Sequence, residues 1–456
     1  MNDDAHGKTI RGTLMHAPVL GEVAILEDAL VPVGADGNIE QVIERSSPSW
    51  TSTYQQSEQA GKLWQLGEGQ YLLPGLVDLH IHAPQWPQLG KALHLPLYDW
   101  LQEYTFPLEA KYEDLDFARP AYQSLVDNLL ANGTTTAAYF GTIHVEATKL
   151  LADIVHDKGQ RAVVGKVAMD NADQCPDYYR DASTAAGLDA SRALIEYVLA
   201  LGDDDYRRVY AAVTPRFIPS CTDRMLTELG RMAAEYDCHV QTHCSESDWE
   251  HAYVLERHGM KDTDSLDKFG LLTDKTILAH SILIDDDDMT TIRQRQSGIA
   301  HCPLSNLYFS HAIFPARKAL DAGLKVGLGT DISGGPSPSI IHNCQQAINV
   351  SRALEDGVDP CKAALERGTP DSRINFREAF WMATTGGAKV LGLDTGRFEP
   401  GFAFDAMVVD TRAPDSNLVC WEGTDSAEDV LQKIVNNADR HNISKVWVQG
   451  NLVKTT

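Results

Sequence analysis

Two histidines one residue apart, His80 and His82, end an apolar run and have the type and spacing to bind a metal ion. The strand-forming residues around them are Leu76, Val77, Leu79 and Ile81. In a strand, alternate side chains point to the same face, so both imidazoles would project together. Imidazole nitrogen is a ligand for zinc and for neighbouring transition metals. Such a pair also occurs by chance, so a metal site requires further ligands elsewhere in the chain.

Histidine or aspartate also ends other apolar, strand-like segments. These residues are His243, His280, His301 and Asp331. A single buried histidine is usually a core residue with satisfied hydrogen bonds. Five strand ends with metal-binding side chains are better explained by one shared site. The mononuclear site that they predict has three nitrogens and one carboxylate, which fits zinc, with iron (Fe²⁺) as the alternative. Its ligands are His80, His82, His243 and Asp331.

Nearby side chains could move protons at such a site, where the ion would lower the pKa of water towards neutrality. Glu246 follows His243 closely and is predicted to carry a proton from water to substrate. His280 would orient the water. Asp331 would bind the metal and accept a proton, so that two carboxylates of different pKa divide the acid and base roles. An alternative for Glu246 is an acid at a helix N-terminus, with Ser245 as the N-cap.

Strand-like and helix-like segments alternate through the middle of the chain. Eight apolar, β-rich segments lie near 72–82, 134–140, 161–168, 209–214, 239–243, 277–280, 298–302 and 325–330. Helix-like stretches lie at about 119–131, 145–158, 188–201, 223–236 and 312–322. This order predicts an α/β fold, a (β/α)₈ TIM-like barrel, with a doubly wound open sheet as the alternative. In a barrel the carboxyl ends of the strands share one rim, which would bring the candidate ligands together.

Short strands and turns are predicted at both ends of the chain. The candidate strands are 10–14, 23–27, 29–33, 401–410 and 445–453, with a turn at 35–38. We therefore expect residues 1–72 and 396–456 to form the two parts of one small β-sandwich domain. Residues 73–395 would form the barrel.

Size, charge and cysteine content restrict the function classes. The 456 residues, 43% of them hydrophobic, are enough for a barrel and a smaller domain. A net charge of −25 argues against nucleic acid or an anionic membrane as partner. No apolar stretch reaches the roughly 18 to 20 residues of a membrane helix, and the acidic segment 1–4 is unlike a secretory leader. The eight cysteines include no CxxC pair, so neither a zinc ribbon nor a thioredoxin-like site is indicated. We expect a cytoplasmic protein with reduced thiols.

Several segments together resemble the amidohydrolase superfamily of metal-dependent hydrolases. Residues 73–82 are similar to its first-strand motif, and residues 300–306 and 328–331 to its seventh- and eighth-strand motifs. Five further segments are similar to the corresponding segments of superfamily members that deaminate guanine. They are 82–85, 100–107, 213–217, 241–246 and 332–335. The resemblance runs from about residue 70 to residue 395. Relatives with two metals commonly have a lysine at the end of the fourth strand, and its absence here favours one metal.

This resemblance implies hydrolytic deamination of guanine to xanthine and ammonia, with one Zn²⁺ per subunit and a homodimer as the assembly. It implies the metal ligands His80, His82, His243 and Asp331 and the catalytic residues Glu246, Asp331 and His280. Substrate contacts carry over to His82, Gln85, Arg216, Phe217, His243, Glu246 and Asp331. The proline-rich stretch 84–87 departs from the pattern and could reshape the loop that carries Gln85.

The implied contacts suit a flat base with a polar edge. Phe217 could stack on the ring, Arg216 could donate to the 6-oxo group, and Gln85 offers a donor and an acceptor. Adenine would leave the buried donors unpaired and should be a poor substrate. The alternatives are an ordinary surface salt bridge for Arg216 and core packing for Phe217.

Other functions stay open on the sequence alone. A barrel amidohydrolase could instead deaminate or dechlorinate a related heterocycle, such as a triazine, an 8-substituted purine or a pterin. A non-catalytic structural relative is the other possibility, although such proteins usually lose metal ligands that this chain retains. Zinc deaminases of the cytidine type are excluded, because residues 360–364 lack the second cysteine of their motif. No role is assigned to His301, Cys302 or His311.

Overall fold

The computed structural model describes residues 3–202, 207–310 and 312–455. His311 and the first two residues of the acidic segment 1–4 lie outside these ranges. The strands in the described ranges are β1 (Thr9–His16), β2 (Ala24–Pro32), β3 (Leu63–Gln65), β4 (Gln70–Pro74), β5 (Leu76–His82), β6 (Thr134–Phe140), β7 (Arg161–Ala168), β8 (Val209–Pro215), β9 (His239–Cys244), β10 (Thr276–His280), β11 (Gly298–His301), β12 (Lys325–Leu328), β13 (Ala406–Asp410), β14 (Ile443–Val448) and β15 (Asn451–Thr455).

The α-helices in the same ranges are α1 (Trp50–Gln59), α2 (Leu97–Trp100), α3 (Phe106–Glu109), α4 (Leu115–Ala131), α5 (Val145–Asp157), α6 (Thr184–Ala200), α7 (Asp223–Tyr236), α8 (Asp248–His258), α9 (Asp262–Lys268), α10 (Asp286–Arg295), α11 (Pro303–Phe309), α12 (Ala316–Asp321), α13 (Ile340–Asp356), α14 (Phe376–Trp381), α15 (Gly387–Leu391) and α16 (Ala427–Asn437). Short 3₁₀ or π-helical turns include Ala83–Gln88, Leu101–Thr105, Ala110–Glu113, Ile218–Ser220, Ala364–Glu366 and Met382–Gly386.

Strands β5 to β12 form one parallel sheet of eight strands in chain order, with helices between successive strands. The two edges of this sheet approach each other. The backbone N–H of Asp331 donates to the carbonyl of His80 at 2.8 Å, and the N–H of His82 donates to the carbonyl of Ile332 at 2.9 Å. The predicted (β/α)₈ barrel is thereby confirmed, and the doubly wound open sheet is excluded.

Helix α7 shows how the sequence builds the outer layer of the barrel. The hydroxyl of Thr222, its N-cap, accepts a hydrogen bond from the backbone N–H of Met225 at 3.2 Å. Its buried apolar residues recur at spacings of three and four, as in any helix that packs one face on a core: Met225, Leu226, Leu229, Met232 and Ala233. Asp237, with a φ of 49°, ends the helix. Strand β9 begins after a short turn and carries His243 near its end, at the barrel rim.

The two ends of the chain meet in a separate mixed sheet of seven strands. Its order is β15-β14-β13-β4-β1-β2, and β3 also pairs with β1. Strand β4 runs antiparallel to β13, with Leu72 opposite Val408. A hydrophobic cluster on these strands includes Leu14, Phe404 and Trp447. A small β domain built from both termini is confirmed, whereas the domain limits 1–72, 73–395 and 396–456 stay a prediction.

Several element boundaries differ from the sequence prediction. Gly75 divides the predicted strand 72–82 into β4, in the terminal sheet, and β5, in the barrel. A Cβ at Gly75 would lie 2.1 Å from the hydroxyl of Thr135, so only glycine fits where the chain passes between the sheets. The predicted strands 23–27 and 29–33 are one strand, β2. The segment 445–453 contains two strands, β14 and β15, and helix α16 lies between the predicted strands 401–410 and 445–453, where no helix was predicted.

A buried ionic contact joins the barrel to the terminal sheet. Arg161, at the start of β7, donates through Nε to Oδ2 of Asp405 at 2.9 Å and through Nη2 to Oε1 of Gln449 at 2.9 Å. The side chain of Asp405 is fully buried and that of Arg161 is 6% exposed. Because β7 begins here, this contact lies at the end of the barrel opposite the candidate ligands.

Two further expectations concern the membrane and the thiols. In the described part of the chain, no helix has both the length and the apolar character that a membrane span requires. All eight cysteines fall within the described ranges and are free thiols. This agrees with the prediction of reduced cysteines.

Candidate active site

The candidate metal ligands meet at the carboxyl-terminal rim of the barrel. His80 and His82 lie at the end of β5, His243 lies near the end of β9, and Asp331 follows β12. Nε2 of His82 lies 3.0 Å from Nε2 of His243, and Nε2 of His80 lies 3.2 Å from Oδ1 of Asp331. Nε2 of His82 is 3.7 Å from the same carboxylate oxygen. The structure thus brings together the four side chains that the sequence analysis assigned to one ion.

The imidazole nitrogens of this cluster are available to a cation. Both ring nitrogens of His80 and Nδ1 of His82 are buried without a hydrogen-bond partner among the described residues. Nδ1–H of His243 donates to the backbone carbonyl of Arg216, so the lone pair of its Nε2 faces the cluster, 3.0 Å from Nε2 of His82. Burial holds the pKa of all three histidines well below its usual range, so their neutral, metal-binding form is favoured. Three neutral imidazoles and one carboxylate fit a single divalent cation.

Asp331 is carried by a turn that the buried acid Asp78 holds against β5. Oδ1 of Asp78 accepts from the backbone N–H of Thr330 at 2.9 Å, and Oδ2 accepts from the Thr330 hydroxyl at 2.6 Å. Asp331 has a φ of 47°, in the left-handed region. A Cβ at Gly334 would lie only 2.8 Å from Oδ2 of Asp331. The tight turn after β12 therefore fixes the direction of the Asp331 carboxylate.

Glu246 lies in the turn between β9 and α8, with a buried side chain that faces the ligand cluster. Its Oε1 lies 3.6 Å from Nε2 of His280. Its backbone N–H donates to Oε2 of Glu250 at 2.7 Å. Burial raises the pKa of Glu246 to about 8, and the nearby carboxylate of Asp331 acts in the same direction. A carboxyl group with this pKa can give and accept a proton near neutral pH.

The alternative explanation of Glu246, as a helix-terminal acid capped by Ser245, is wrong. The N-cap of α8 is Ser247, whose hydroxyl accepts from the backbone N–H of Glu250 at 3.3 Å. Ser245 instead has a φ of 48° and belongs to the turn. Two serines flank Glu246, so the local sequence alone does not show which of them begins the helix.

His280 completes the polar rim between the two carboxylates. Its Nδ1–H donates to the side-chain oxygen of Asn306 at 2.9 Å, which leaves Nε2 as an acceptor. Nε2 lies 3.6 Å from Oε1 of Glu246 and 3.9 Å from Oδ2 of Asp331. A water molecule at this point would contact all three groups. The arrangement is compatible with the predicted water-orienting role of His280.

A cavity opens beside the ligand cluster, and every predicted substrate contact lines it. These residues are His82, Gln85, Arg216, Phe217, His243, Glu246 and Asp331. The rest of the wall is largely apolar and consists of Leu97, Trp100, Leu101, Phe309 and Gly334. A cavity with apolar faces and a few convergent polar groups suits a planar heterocycle.

Arg216 does not form an ordinary surface salt bridge, which was the alternative explanation of this residue, because its side chain is only 3% exposed. Its Nη1 donates to Oε2 of Glu109 at 2.7 Å, and its Nη2 donates to Oε1 at 3.2 Å. Its guanidinium lies over the ring of Phe106, 5.1 Å from the centroid. Glu109 also accepts from Nε2 of Gln85 at 2.8 Å and from the hydroxyl of Tyr179 at 2.6 Å. Four hydrogen bonds therefore converge on one fully buried carboxylate.

Phe217 belongs to the wall of the cavity rather than to the closed core. It is 6% exposed and packs against Trp249, with ring centroids 5.8 Å apart. The exposed Tyr98 lies on Trp249 in turn, at 5.7 Å. An aromatic group thus borders the cavity, and Phe217 contributes to its wall.

The sequence analysis did not find the residues that hold the functional side chains in place. Glu109 and Tyr179 have no local signal, because Glu109 ends the short helix α3, Tyr179 lies in an irregular stretch, and they come together with Arg216 only in the folded barrel. Asp78 did carry a signal, since an acid inside an apolar strand must be compensated. His301 is buried with both ring nitrogens unpaired among the described residues, and its geometry assigns it no role.

The fold and the site together define a class of protein, the barrel hydrolases that act at a metal centre. Residues 71–453 match the amidohydrolase family. The chain therefore belongs to the amidohydrolase family, as its resemblance had predicted.

Several similar proteins point to one branch of that family. The chain is 36% identical to the guanine deaminase of Dictyostelium discoideum, with 98% of each chain covered. It is 39% identical to a probable guanine deaminase of Schizosaccharomyces pombe, over 97% of this chain and 82% of the relative. A crystal structure of guanine deaminase from C. acetobutylicum with bound guanine in the active site superimposes with a TM-score of 0.86 and 32% identity, covering 98% of this chain and 99% of that one. The predicted resemblance to guanine-deaminating amidohydrolases is confirmed.

Proposed function

We propose that this protein is an enzyme that hydrolyses guanine to xanthine and ammonia. The observation that carries the proposal is the cavity that joins a polar edge, formed by Gln85 and Arg216, to the metal-ligand cluster and to Glu246. The similarity to guanine deaminases over nearly the whole chain supports the same substrate.

We infer that the resident ion is zinc, held by three imidazoles and one carboxylate. The ligands would be His80, His82, His243 and Asp331. Zinc accepts this nitrogen-rich set, and Fe²⁺ is the competing ion. When bound, the ion would lower the pKa of a water molecule in the site and make that water a better nucleophile.

The proton transfers can be assigned to residues of the chain. Glu246 would donate its proton to the ring nitrogen beside C2, which makes C2 more electrophilic, while water oxygen adds to C2. Asp331 and His280 would orient that water, and Asp331 would accept its proton. Glu246, now a carboxylate, would take the proton of the C2 hydroxyl and pass it to the exocyclic amine. The C2–N bond would then break, ammonia would leave, and the oxygen would stay on C2 as a carbonyl of xanthine. The proton held by Asp331 would return to Glu246.

The base would be recognised by other groups that line the same cavity. Arg216 and Gln85 would donate to the 6-oxo group, while Phe217 would stack on the ring. Adenine has an amino group at C6, so these buried donors would remain unpaired. Discrimination against it of about 10⁴-fold is the size expected for a site built on such hydrogen bonds.

A test of the substrate is ammonia release from a panel that contains guanine, adenine, an 8-substituted purine, a pterin and an amino-triazine. We expect guanine to have by far the highest kcat/KM, and a chelator to abolish its turnover. Faster turnover of another base would replace the proposed substrate. Turnover of none by metal-loaded protein would support a non-catalytic role.

The ligand role of Asp331 makes a prediction that metal analysis can check. We expect Asp331→Ala to weaken metal binding and to abolish guanine turnover together, because the substitution removes the carboxylate from the donor set. Asp248→Ala, at the exposed start of α8, is a matched control that should keep both metal and activity. Full metal content and activity in Asp331→Ala would remove this residue from the ligand set.

The assembly and the location are inferred from the family resemblance. We infer a homodimer in the cytoplasm. Sedimentation equilibrium of the purified protein measures the first, and fractionation of cells that express it measures the second.

A further inference from the structure

We propose that Glu109 is a positioning residue that holds the guanidinium of Arg216 and the amide of Gln85 as paired donors for the 6-oxo group. This inference rests on the proposed function and adds a residue that sets its specificity. Glu109 does not line the cavity, so it would act through the two side chains that do.

The geometry makes Glu109 the common anchor of the polar edge. Its Oε1 accepts from Nε2 of Gln85 at 2.8 Å and from Nη2 of Arg216 at 3.2 Å, and its Oε2 accepts from Nη1 of Arg216 at 2.7 Å. The hydroxyl of Tyr179 donates to Oε2 at 2.6 Å and fixes the carboxylate from behind. Because the carboxylate is fully buried, water does not compete for these bonds.

The same carboxylate determines which way the Gln85 amide points. A carboxylate only accepts hydrogen bonds, so Gln85 must direct its nitrogen towards Glu109. Its oxygen accepts from the backbone N–H of Ser333 at 3.1 Å. One N–H of the amide remains for the base, and Gln85 is thereby fixed as a donor, which selects a carbonyl at C6 rather than an amine.

Glu109 also keeps Arg216 away from the carboxylates that carry protons. Arg216 lines the same cavity as Glu246 and Asp331. A buried guanidinium that lost Glu109 would pair with another anion, and those two carboxylates are the ones that share its cavity. The pair with Glu109 therefore keeps the base-binding cation separate from the acid–base machinery.

The test compares guanine with 2-aminopurine, which has the same reacting amine at C2 but no oxygen at C6. We expect Glu109→Gln to lower kcat/KM for guanine at least about 30-fold more than for 2-aminopurine, with a raised KM for guanine. A merely structural role would lower both values equally. If 2-aminopurine is turned over too slowly, its inhibition constant against guanine replaces its kcat/KM.

A milder pair of variants keeps the test decisive if Glu109→Gln does not fold. Tyr179→Phe removes one hydrogen bond to Glu109 but keeps the charge pair, and should lower kcat/KM for guanine about threefold to tenfold with 2-aminopurine unchanged. Tyr112→Phe is the matched control, since the Tyr112 hydroxyl is buried without a partner among the described residues. That variant should behave as wild type with both substrates.

The outcomes separate this inference from the proposed function. A loss confined to guanine in Tyr179→Phe or Glu109→Gln supports the positioning role. Equal losses for both substrates, or no loss in a folded variant, would overturn it while guanine turnover by the wild type stands. A wild-type protein that does not turn over guanine would overturn the proposed function and this inference together.

Discussion

At the residue scale, we expect the chemistry to depend on one carboxyl group whose surroundings favour its protonated form. Glu246 is buried, its pKa is raised to about 8, and it lies 3.6 Å from His280. Glu246→Gln keeps the size of the side chain and removes its ability to exchange protons. We expect this variant to retain its metal and to lose about 10²- to 10⁴-fold in kcat, measured by ammonia release and elemental analysis.

A control for this substitution lies on the helix that follows. Glu256→Gln makes the same chemical change at an exposed position of α8 and should leave kcat unchanged. Near-normal activity in the Glu246 variant would show that another group carries the proton. Loss of metal in that variant would instead indicate that Glu246 is a ligand.

Individual residues differ in how well the sequence predicted them. His80 and His82 were found because strand geometry converts a two-residue spacing into a shared direction. The position of Asp331 followed from the rule that barrel sites lie at the carboxyl ends of strands. Glu109 could not be found, because the role proposed for it depends on hydrogen bonds from Arg216 and Tyr179, which are distant along the chain and close only after folding.

At the element scale, the position of the metal ligands depends on how β5 meets the turn after β12. Asp78 joins them through two hydrogen bonds from Thr330 and one from the backbone N–H of His80 at 3.2 Å. Asp78→Ala would free the turn that carries Asp331 without removing any ligand. We expect metal affinity to fall about 10- to 100-fold, as is usual when a partner of a ligand is removed.

Competition with a chelating dye measures that affinity, and Asp78→Asn is the matched control. Asparagine keeps an oxygen acceptor for the backbone N–H groups and can donate to the Thr330 hydroxyl. It should therefore lose less than the alanine variant. Equal affinity in wild type and Asp78→Ala would show that the turn holds its shape without Asp78.

Whole elements were predicted more reliably than their limits. The barrel strands were found because long apolar, β-forming runs recur between helix-like stretches. The division at Gly75 was missed, because a strand that serves two sheets has the same hydrophobic pattern as one that serves a single sheet. Helix α16 was missed because only the strands of the C-terminal segment were sought. Ser426 and Asp429, which form a capping box at its start, could have indicated the helix.

At the scale of the whole molecule, the barrel and the terminal sheet share a buried charge pair. Arg161→Met would leave the carboxylate of Asp405 buried without its counter-charge, with the neutral donors Thr395 and Gln449 still bound to it. We expect the free energy of unfolding to fall by about 3 to 5 kcal/mol, measured by denaturant titration. Arg192→Met breaks an ion pair with Glu235 whose side chains are 40% and 55% exposed, and should change stability by less than about 1 kcal/mol. Similar losses in both variants would contradict the importance of burial.

His16, where β1 meets the segment before β13, should make stability depend on pH. Its Nδ1 accepts from the backbone N–H of Phe398 at 3.2 Å, and burial, with a smaller contribution from Arg397, lowers its pKa to about 4. Between pH 6.5 and 4 the unfolded chain binds a proton at His16 that the folded chain does not, so folding is progressively destabilised as the pH falls. Above pH 7 both states are neutral and the effect disappears.

The measurement is the difference between wild type and His16→Gln in free energy of unfolding across this range. Glutamine can accept the same hydrogen bond but does not titrate. The wild type should lose roughly 3 kcal/mol more than the variant between pH 7 and pH 4. Parallel curves would show that His16 is protonated in the folded protein.

The pairing of β4 with β13 also constrains how the chain can fold. Leu72 can pair with Val408 only after the eight barrel strands that lie between them in the chain have been synthesised. During synthesis β4 must therefore remain without β13 while β5 to β12 emerge, although β1 can already pair with β2 and β4. Contacts between such distant parts of a chain raise the contact order and slow folding. The terminal sheet can thus be completed only after β13 has been synthesised, and until then the edge of β4 that pairs with β13 is open to other strands.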